Sequence, residues 1–280
     1  MILTGENLDV LAGVEGESFD ALVTDPPYAL KFRGKGWDRV LPPAAVWESA
    51  LRVLKPGAHG LVFGGTRTFH RLVCSLEDAG FEVRDMLCWL YGKGMPKAKG
   101  VLKPGWEPIV LVRKPLRGTL TTNAARYGTG GLRIDACRIG EQASNRDGQP
   151  VGRWPANVLL DEEAASMLDA QTGTLTSGHG TAKRKTGADA GEGTGVAYGA
   201  ENRPMGTPMI SYGDSGGASR FFYCGRATRA EKEAGCEHLK AKYSRNRGNN
   251  HPTVKPLRLM QWLVRLVAPP GALVLDPFVG

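Results

Sequence analysis

"ALVTDPPYAL" (residues 21–30) is the stretch on which the reading of the fold turns. A mostly apolar run meets an aspartate, then two prolines, then a tyrosine. Together with Phe19 and Asp20 it forms "FDALVTD" (19–25), the pattern of a buried strand that ends in an acid. The far end of the chain repeats the arrangement: "ALVLDPFVG" (272–280) is a buried strand that also runs into Asp-Pro. In open α/β sheets, ligands bind outside the carboxyl ends of parallel strands. Two Asp-Pro turns at that edge are therefore expected to face one cleft.

The text between them supports such a sheet. "LPPAAVWESALRVLKPG" (41–57) reads as a helix, with Pro42 and Pro43 in its first turn and Lys55-Pro56-Gly57 as its stop. "HGLVFGG" (59–65) is a second strand, and "TRTFHRLVCSLEDAG" (66–80) a helix closed by Gly80. "FEVRDMLCWLY" (81–91) and "EPIVLVRK" (107–114) are two further strands. Strand and helix in alternation predict an α/β fold with both sheet faces covered. Past residue 115 the pattern fails. Gly, Thr, Ser and Asn dominate 116–219, with short apolar pieces such as "RWPANVLL" (153–160) and a loop-like "GADAGEGTGVAYGAENRPMGTP" (187–208). "SRFFYCGRA" (219–227) is expected to return to the sheet, and "TVKPLRLMQWLVRLVAPPG" (253–271) to be helical. The expected organisation is a first α/β portion over 1–115, an irregular insertion over 116–219, and a second α/β portion over 220–280.

Composition narrows the function classes. At 280 residues the chain is long enough for one large domain with an insertion, and a net charge of +8 suits a polyanionic partner, nucleic acid above all. The five cysteines form no C-x-x-C pair and no histidine stands at zinc-finger spacing, so reduced thiols and no metal site are expected. "MILTGENLDV" (1–10) lacks the basic and apolar regions of a signal peptide, and no stretch reaches membrane-span length, so a cytoplasmic location is expected. No G-x-x-x-x-G-K-[ST] string is present to cradle phosphates, which speaks against an ATP-driven motor.

Asp25-Pro26-Pro27-Tyr28 has two readings. In one it is a strand-ending turn, stiffened by proline and packed by tyrosine. In the other it is chemical. The exocyclic amine of a nucleobase is a poor nucleophile because its lone pair is delocalised into the ring. A fixed carboxylate and a fixed backbone carbonyl can each accept an N–H and draw the nitrogen toward attacking geometry. An adjacent aromatic ring can stack on a base that has left the duplex.

Three motifs, "DPPY" (25–28), "HPTVKP" (251–256) and "LDPFVG" (275–280), resemble those of S-adenosylmethionine-dependent DNA amino-methyltransferases, which methylate adenine N6 or cytosine N4. Their order, catalytic motif first and cofactor turn last, resembles the circularly permuted beta group. The resemblance implies a Rossmann-like sheet over roughly 1–115 and 220–280, with 116–219 as target recognition region. It implies that Asp25 and the Pro26 carbonyl bind the target amine, that Pro27 stiffens the turn and that Tyr28 stacks on the base. Asp276, Pro277, Phe278 and Gly280 match the start of the cofactor turn, and Thr253 and Lys255 are candidates for the cofactor's methionine end. "GEN" (5–7) is similar to the family's adenine-contacting turn, with Asn7 beside Glu6 where an aspartate is usual. The family's cofactor turn continues beyond the equivalent of Gly280, so a truncated form that binds cofactor poorly is expected, with an inactive DNA-binding remnant as one alternative reading. Cytosine N4 is the other, since aspartate in the first position leans toward adenine. Double-stranded DNA is the implied partner. Arg33, Lys35 and Lys93, on loops after strand ends, are the leading phosphate candidates, ahead of Arg117, Arg126, Arg133, Arg138, Arg146 and Arg153 in the insertion. A homodimer or a restriction partner is left open.

Overall fold

The computed structural model describes residues 2–30, 36–94, 96, 99–140, 152–176, 214–225 and 255–279. In chain order the helices and strands are α1 (Asn7–Ala12), β1 (Phe19–Thr24), α2 (Ala44–Val53), β2 (Leu54–Phe63), α3 (Phe69–Asp78), β3 (Glu82–Leu90), β4 (Trp106–Arg113), α4 (Leu120–Tyr127), β5 (Val158–Asp161), α5 (Glu162–Thr172), β6 (Leu175–Thr176), β7 (Ser215–Gly216), β8 (Tyr223–Gly225), α6 (Leu257–Val267) and β9 (Val274–Leu275). Seven strands form one sheet in the order β8-β5-β3-β4-β2-β1-β9, and β6 pairs with β7 in a separate ribbon. Every neighbouring pair in the large sheet is parallel except the two that involve β4. The chain is thus an α/β protein with a mostly parallel sheet, as the alternating pattern predicts, and Rossmann-like, as the resemblance implies.

Strand residues alternate between two cores. Leu22, Val62, Val110 and Val112 point to one face, where Trp47, Ala50 and Val53 of α2 and Leu72 and Leu76 of α3 cover them. Ala21, Val23, Leu61, Phe63, Ile109 and Leu111 point to the other, under Leu259, Trp262, Leu263 and Leu266 of α6. A sheet buried on both faces needs near-continuous apolar strands, which is why "ALV", "LVF" and "IVLV" lack the alternation of a half-exposed sheet.

The sequence reading has no helix at α1 and none inside 116–219, where α4 and α5 lie, and two elements of the main sheet also differ from it. The helix read over 41–57 ends at Val53, and Leu54–Phe63 is strand. Leu54 pairs with Phe19, and the register then jumps so that Ala21 meets His59. Pro56, which has no N–H, and Gly57, at φ 76°, form the irregular stretch between. Second, "RWPANVLL" contains a strand of the main sheet: Cys88, Trp89 and Leu90 of β3 pair with Val158, Leu159 and Leu160 of β5.

β9 is fastened to β1 by polar bonds as well as by register. Asp20 N donates to the Leu273 carbonyl and Leu273 N to Asp20 Oδ2, each at 2.8 Å, while Lys55 Nζ reaches Asp20 Oδ1 at 2.5 Å. Among the described residues no helix is long and apolar enough to cross a membrane, and no group of three or more His, Cys, Asp or Glu side chains could hold a metal ion.

Candidate active site

Because β1, β2 and β9 run parallel, their carboxyl ends share one rim of the sheet. Asp25 follows the last residue of β1 and Asp276 the last residue of β9, so the two Asp-Pro turns lie side by side on neighbouring strands. β4 runs the other way and brings its start to the same rim. Glu107, its second residue, thereby joins the site, and nothing in the sequence had marked it.

Four groups meet there. The Tyr28 hydroxyl lies 2.6 Å from Asp25 Oδ1 and is also bonded to Glu107 Oε1. Lys255 Nζ, just ahead of α6, lies 2.8 Å from Asp25 Oδ2, 3.0 Å from Glu107 Oε1 and 3.2 Å from the Tyr28 hydroxyl. Its ammonium also stands over the rings of Phe63 and Tyr28, at 4.7 and 5.5 Å from their centroids, a geometry attractive to a cation. The side chains of Lys255 and Glu107 are only 10% and 15% exposed, against 34% for Asp25. Asp25 is therefore the carboxylate that faces outward, and the other two support it from behind. Removing one partner of an enclosed ion pair leaves an uncompensated charge and typically costs about 3–5 kcal/mol, so Lys255 and Glu107 are mutually dependent.

Protonation follows from these contacts. Burial lowers the pKa of the Lys255 ammonium, but the charges of Glu107 and Asp25 outweigh it and hold it above the ordinary lysine value. Burial, and then the same two carboxylates, push the Tyr28 hydroxyl well above the usual tyrosine value. Two carboxylates and one ammonium leave the cluster with one net negative charge.

The backbone of the "DPPY" turn is held independently. Tyr28 N donates to Asp38 Oδ1 and the Tyr28 carbonyl accepts from Thr68 Oγ1, each at 2.8 Å. Ala29 takes a left-handed conformation at φ 57°, unusual for a residue with a side chain, as the chain swings away. Pro26 is buried and Pro27 half-buried.

Asp276 organises the second turn. Its Oδ1 accepts from Thr24 Oγ1 at 2.5 Å and from Phe278 N at 3.0 Å. Burial raises its pKa, and the charge of Asp25 adds to the rise against those two hydrogen bonds. Phe278 packs on the α2 side, its ring 5.7 Å from that of Trp47. Asn7 opens α1, whose Leu11 belongs to the same core as Trp47 and Leu275.

The structure thus brings together Asp25, Tyr28 and Lys255, sets Asp276 beside them, and adds Glu107. Lys255, read from the sequence as a cofactor residue, is bonded here to Asp25 and Glu107. Lys93 lies apart. It follows β3, three strand positions from β1 and so about 14 Å away at ordinary strand spacing, and it forms an exposed ion pair with Glu163 at 2.8 Å. Thr253, Gly280, Arg33 and Lys35 lie outside the described residues. Several of the insertion arginines have internal partners: Arg153 is buried in an ion pair with Asp214, Arg133 Nη1 donates to the Ala268 carbonyl at 3.1 Å, Arg138 pairs with Asp135 at 2.7 Å and Arg117 pairs with Glu17.

A mostly parallel sheet with carboxylates on its carboxyl rim defines a Rossmann-like class of proteins that handle ligands at strand ends. Within that class, the family model for N6/N4 DNA methylases matches residues 19–280, and the chain belongs to that family of DNA methyltransferases. It is 30% identical over 104 residues to the type II methyltransferase M.HindIII of Haemophilus influenzae, a match covering 28% of this chain and 34% of the relative. It is 25% identical over 136 residues to M.HpaI of Haemophilus parainfluenzae, covering 45% and 42%. The matches therefore span well under half the length of these curated relatives. Among solved structures, the M1.HpyAVI complex with SAM aligns with 100% of this chain and 82% of its own, at TM-score 0.43 and 14% identity.

Proposed function

We propose that the protein transfers a methyl group from S-adenosylmethionine to the exocyclic amine of a base in double-stranded DNA, adenine N6 in the first place. The observation that carries this reading is the position of Asp25: the most exposed of the cluster's three charged members, on the sheet's ligand rim, beside the Asp276 turn. S-adenosylmethionine supplies an electrophilic methyl group on a positively charged sulfur. The cluster's net negative charge and the nearby Asp276 suit a cation, and the Asp276–Pro277–Phe278 turn offers the corresponding cradle, with Gly280 a candidate from the sequence alone. Thr253 and Asn7 are the further cofactor candidates from the sequence.

Asp25 accepts one N–H of the incoming amine and the Pro26 carbonyl accepts the other. Localising the nitrogen lone pair in this way, with acceptors fixed before the base arrives, is where a rate advantage originates. The stiff Pro26-Pro27 unit and the bonds from Tyr28 N to Asp38 and from Thr68 to the Tyr28 carbonyl keep the acceptors in place. The Tyr28 ring offers a face for the flipped base. With that methyl donor bound, Asp25 would stand beside the nitrogen as it takes up the methyl group, would stabilise the positive charge that develops there, and would leave the displaced N–H proton to pass to solvent. Arg33, Lys35 and Lys93 serve as phosphate contacts, the segment 116–219 apart from β5, which belongs to the main sheet, as target recognition region, and the cytoplasm as the setting.

Asp25→Ala tests the reading. DNA binding is expected within about twofold of the parent and methyl incorporation is expected to fall by about 100-fold or more, the scale of a lost positioning group. Turnover within a few-fold of the parent would remove Asp25 from the mechanism. Mass spectrometry of nucleosides from the methylated DNA separates N6-methyladenine from N4-methylcytosine, and the latter result would replace adenine by cytosine as substrate.

A further inference from the structure

We propose that Glu107 is a positioning residue: it takes over the Lys255 ammonium and the Tyr28 proton at the moment Asp25 turns to the target amine. The proposal rests on the reading of Asp25 as amine acceptor and extends it to a residue that touches no substrate.

The argument is a count of donors and acceptors. Both oxygens of Asp25 already carry donors, Oδ1 the Tyr28 hydroxyl at 2.6 Å and Oδ2 the Lys255 ammonium at 2.8 Å. An amine approaching Asp25 meets a carboxylate whose charge is compensated from within the fold. Asp25 becomes a strong acceptor only when those donors loosen, and an enclosed ammonium cannot be left without a counter-charge. Glu107 is that counter-charge. Its Oε1 is 3.0 Å from Lys255 Nζ and is bonded to the same Tyr28 hydroxyl. The hydroxyl has a single proton and faces two carboxylates, so it donates to only one of them at a time. Rotating that O–H from Asp25 to Glu107, with a small shift of Nζ in the same direction, frees both Asp25 oxygens without moving the backbone. Glu107 is suited to wait there because it sits on a sheet strand, opposite Trp89 of β3, and is less exposed than Asp25.

The hand-over predicts that Glu107 matters because Lys255 is present. With unmethylated plasmid DNA and labelled S-adenosylmethionine, Glu107→Gln is expected to lower kcat at least tenfold while KM for DNA stays within threefold. In the Lys255→Met background the same substitution is expected to be neutral or to raise kcat, since it then removes an uncompensated charge. Equal fold-losses in both backgrounds, or no loss in either, would overturn the proposal. A second measurement needs no turnover. In thermal melts the Glu107→Gln, Lys255→Met double variant should melt above either single variant, and Lys255 should couple more strongly to Glu107 than to Asp25 in the corresponding cycle with Asp25→Asn. Stronger coupling to Asp25 would overturn it as well. Asp25→Ala keeps the two levels separate: if that variant turns over, the reading of Asp25 fails whatever Glu107 does.

Discussion

Asp25 and Asp276 end neighbouring strands and are followed by proline, yet their surroundings set them apart. Asp25 has a cation against it, Lys255 at 2.8 Å. Asp276 is held by neutral donors, Thr24 Oγ1 and Phe278 N, and burial and the charge of Asp25 raise its pKa. A carboxyl that holds its proton more tightly folded than unfolded loses stability as pH rises through the ordinary carboxylate range, and the loss persists at neutral pH. Asp276→Asn keeps an oxygen for both donors and removes the charge. It should therefore match or exceed the parent in stability at pH 7, by up to about 1 kcal/mol, the scale of a typical net hydrogen bond, with the advantage shrinking at pH 4. Urea denaturation at the two pH values measures it; an Asn variant weaker than the parent at pH 7 would mean that the negative charge itself holds the turn. The placement of Asp25 and Asp276 at strand ends was legible in the sequence because an acid after an apolar run marks a strand end. Glu107 was not, because "EPIVLVRK" does not disclose its direction: run parallel to its neighbours, the same strand would carry Glu107 to the opposite rim.

Among the elements, α4 and the start of β2 show how far local pattern reaches. The sequence from Ala44 to Leu54 keeps helical character throughout, yet the helix stops at Val53 because Leu54 is taken up by pairing with Phe19, a partner far away in sequence. The irregular stretch that follows is secured by Asn123 of α4. Its Nδ2 donates to the Pro56 carbonyl at 3.0 Å and to the Thr129 carbonyl at 2.9 Å, and its Oδ1 accepts from Arg117 N at 3.0 Å. Asn123 is wholly buried, and Gly57 leaves no room for a Cβ, which would lie 2.5 Å from Asn123 Nδ2. Asn123→Ala removes the side-chain partner of the Thr129 carbonyl and of Arg117 N and leaves the Pro56 carbonyl only the Thr129 hydroxyl, for an expected loss of about 2–4 kcal/mol. The urea midpoint should fall with little change in slope, since the surface exposed on unfolding is unaltered. A loss below about 0.5 kcal/mol would show that the bulge holds itself. β5 escaped the sequence reading for a related reason. Four residues behind Trp154, Pro155 and Asn157 carry too little periodicity to be recognised, and only β3 and β8 on either side make them a strand.

At the scale of the whole molecule, one antiparallel strand in an otherwise parallel sheet gathers the acidic cluster on the carboxyl rim, while a second titrating position lies in the interior of the sheet. His59 lies within β2, flanked in the sheet by Ala21 and Arg113, and it is buried. Burial first, and then the charges of Arg113 and Arg84, lower its pKa from 6.5 to about 4. The pairing of distant motifs that places β9 against β1 could be inferred from two strand-plus-Asp-Pro strings, but the arginines around His59 come from β3 and β4, whose register no local pattern encodes. Between pH 6.5 and about 4 the unfolded chain takes up a proton at this position that the folded chain refuses, so stability falls as pH falls. Across that window the loss amounts to about 3 kcal/mol, at up to 1.4 kcal/mol per pH unit. Substituting His59 by Gln removes the titrating group, so the comparison rests on slope rather than on absolute stability: unfolding free energy plotted against pH from 7 to 4.5 should be flatter for His59→Gln than for the parent. Parallel curves would place the acid sensitivity in the carboxylates instead. Since the histidine sits in the middle of the sheet and the cluster at its rim, the substitution should leave the Asp25–Lys255–Glu107 contacts intact, so that a flattened stability curve accompanied by unchanged DNA methylation at pH 7.5 would separate what keeps this sheet folded from what its rim does.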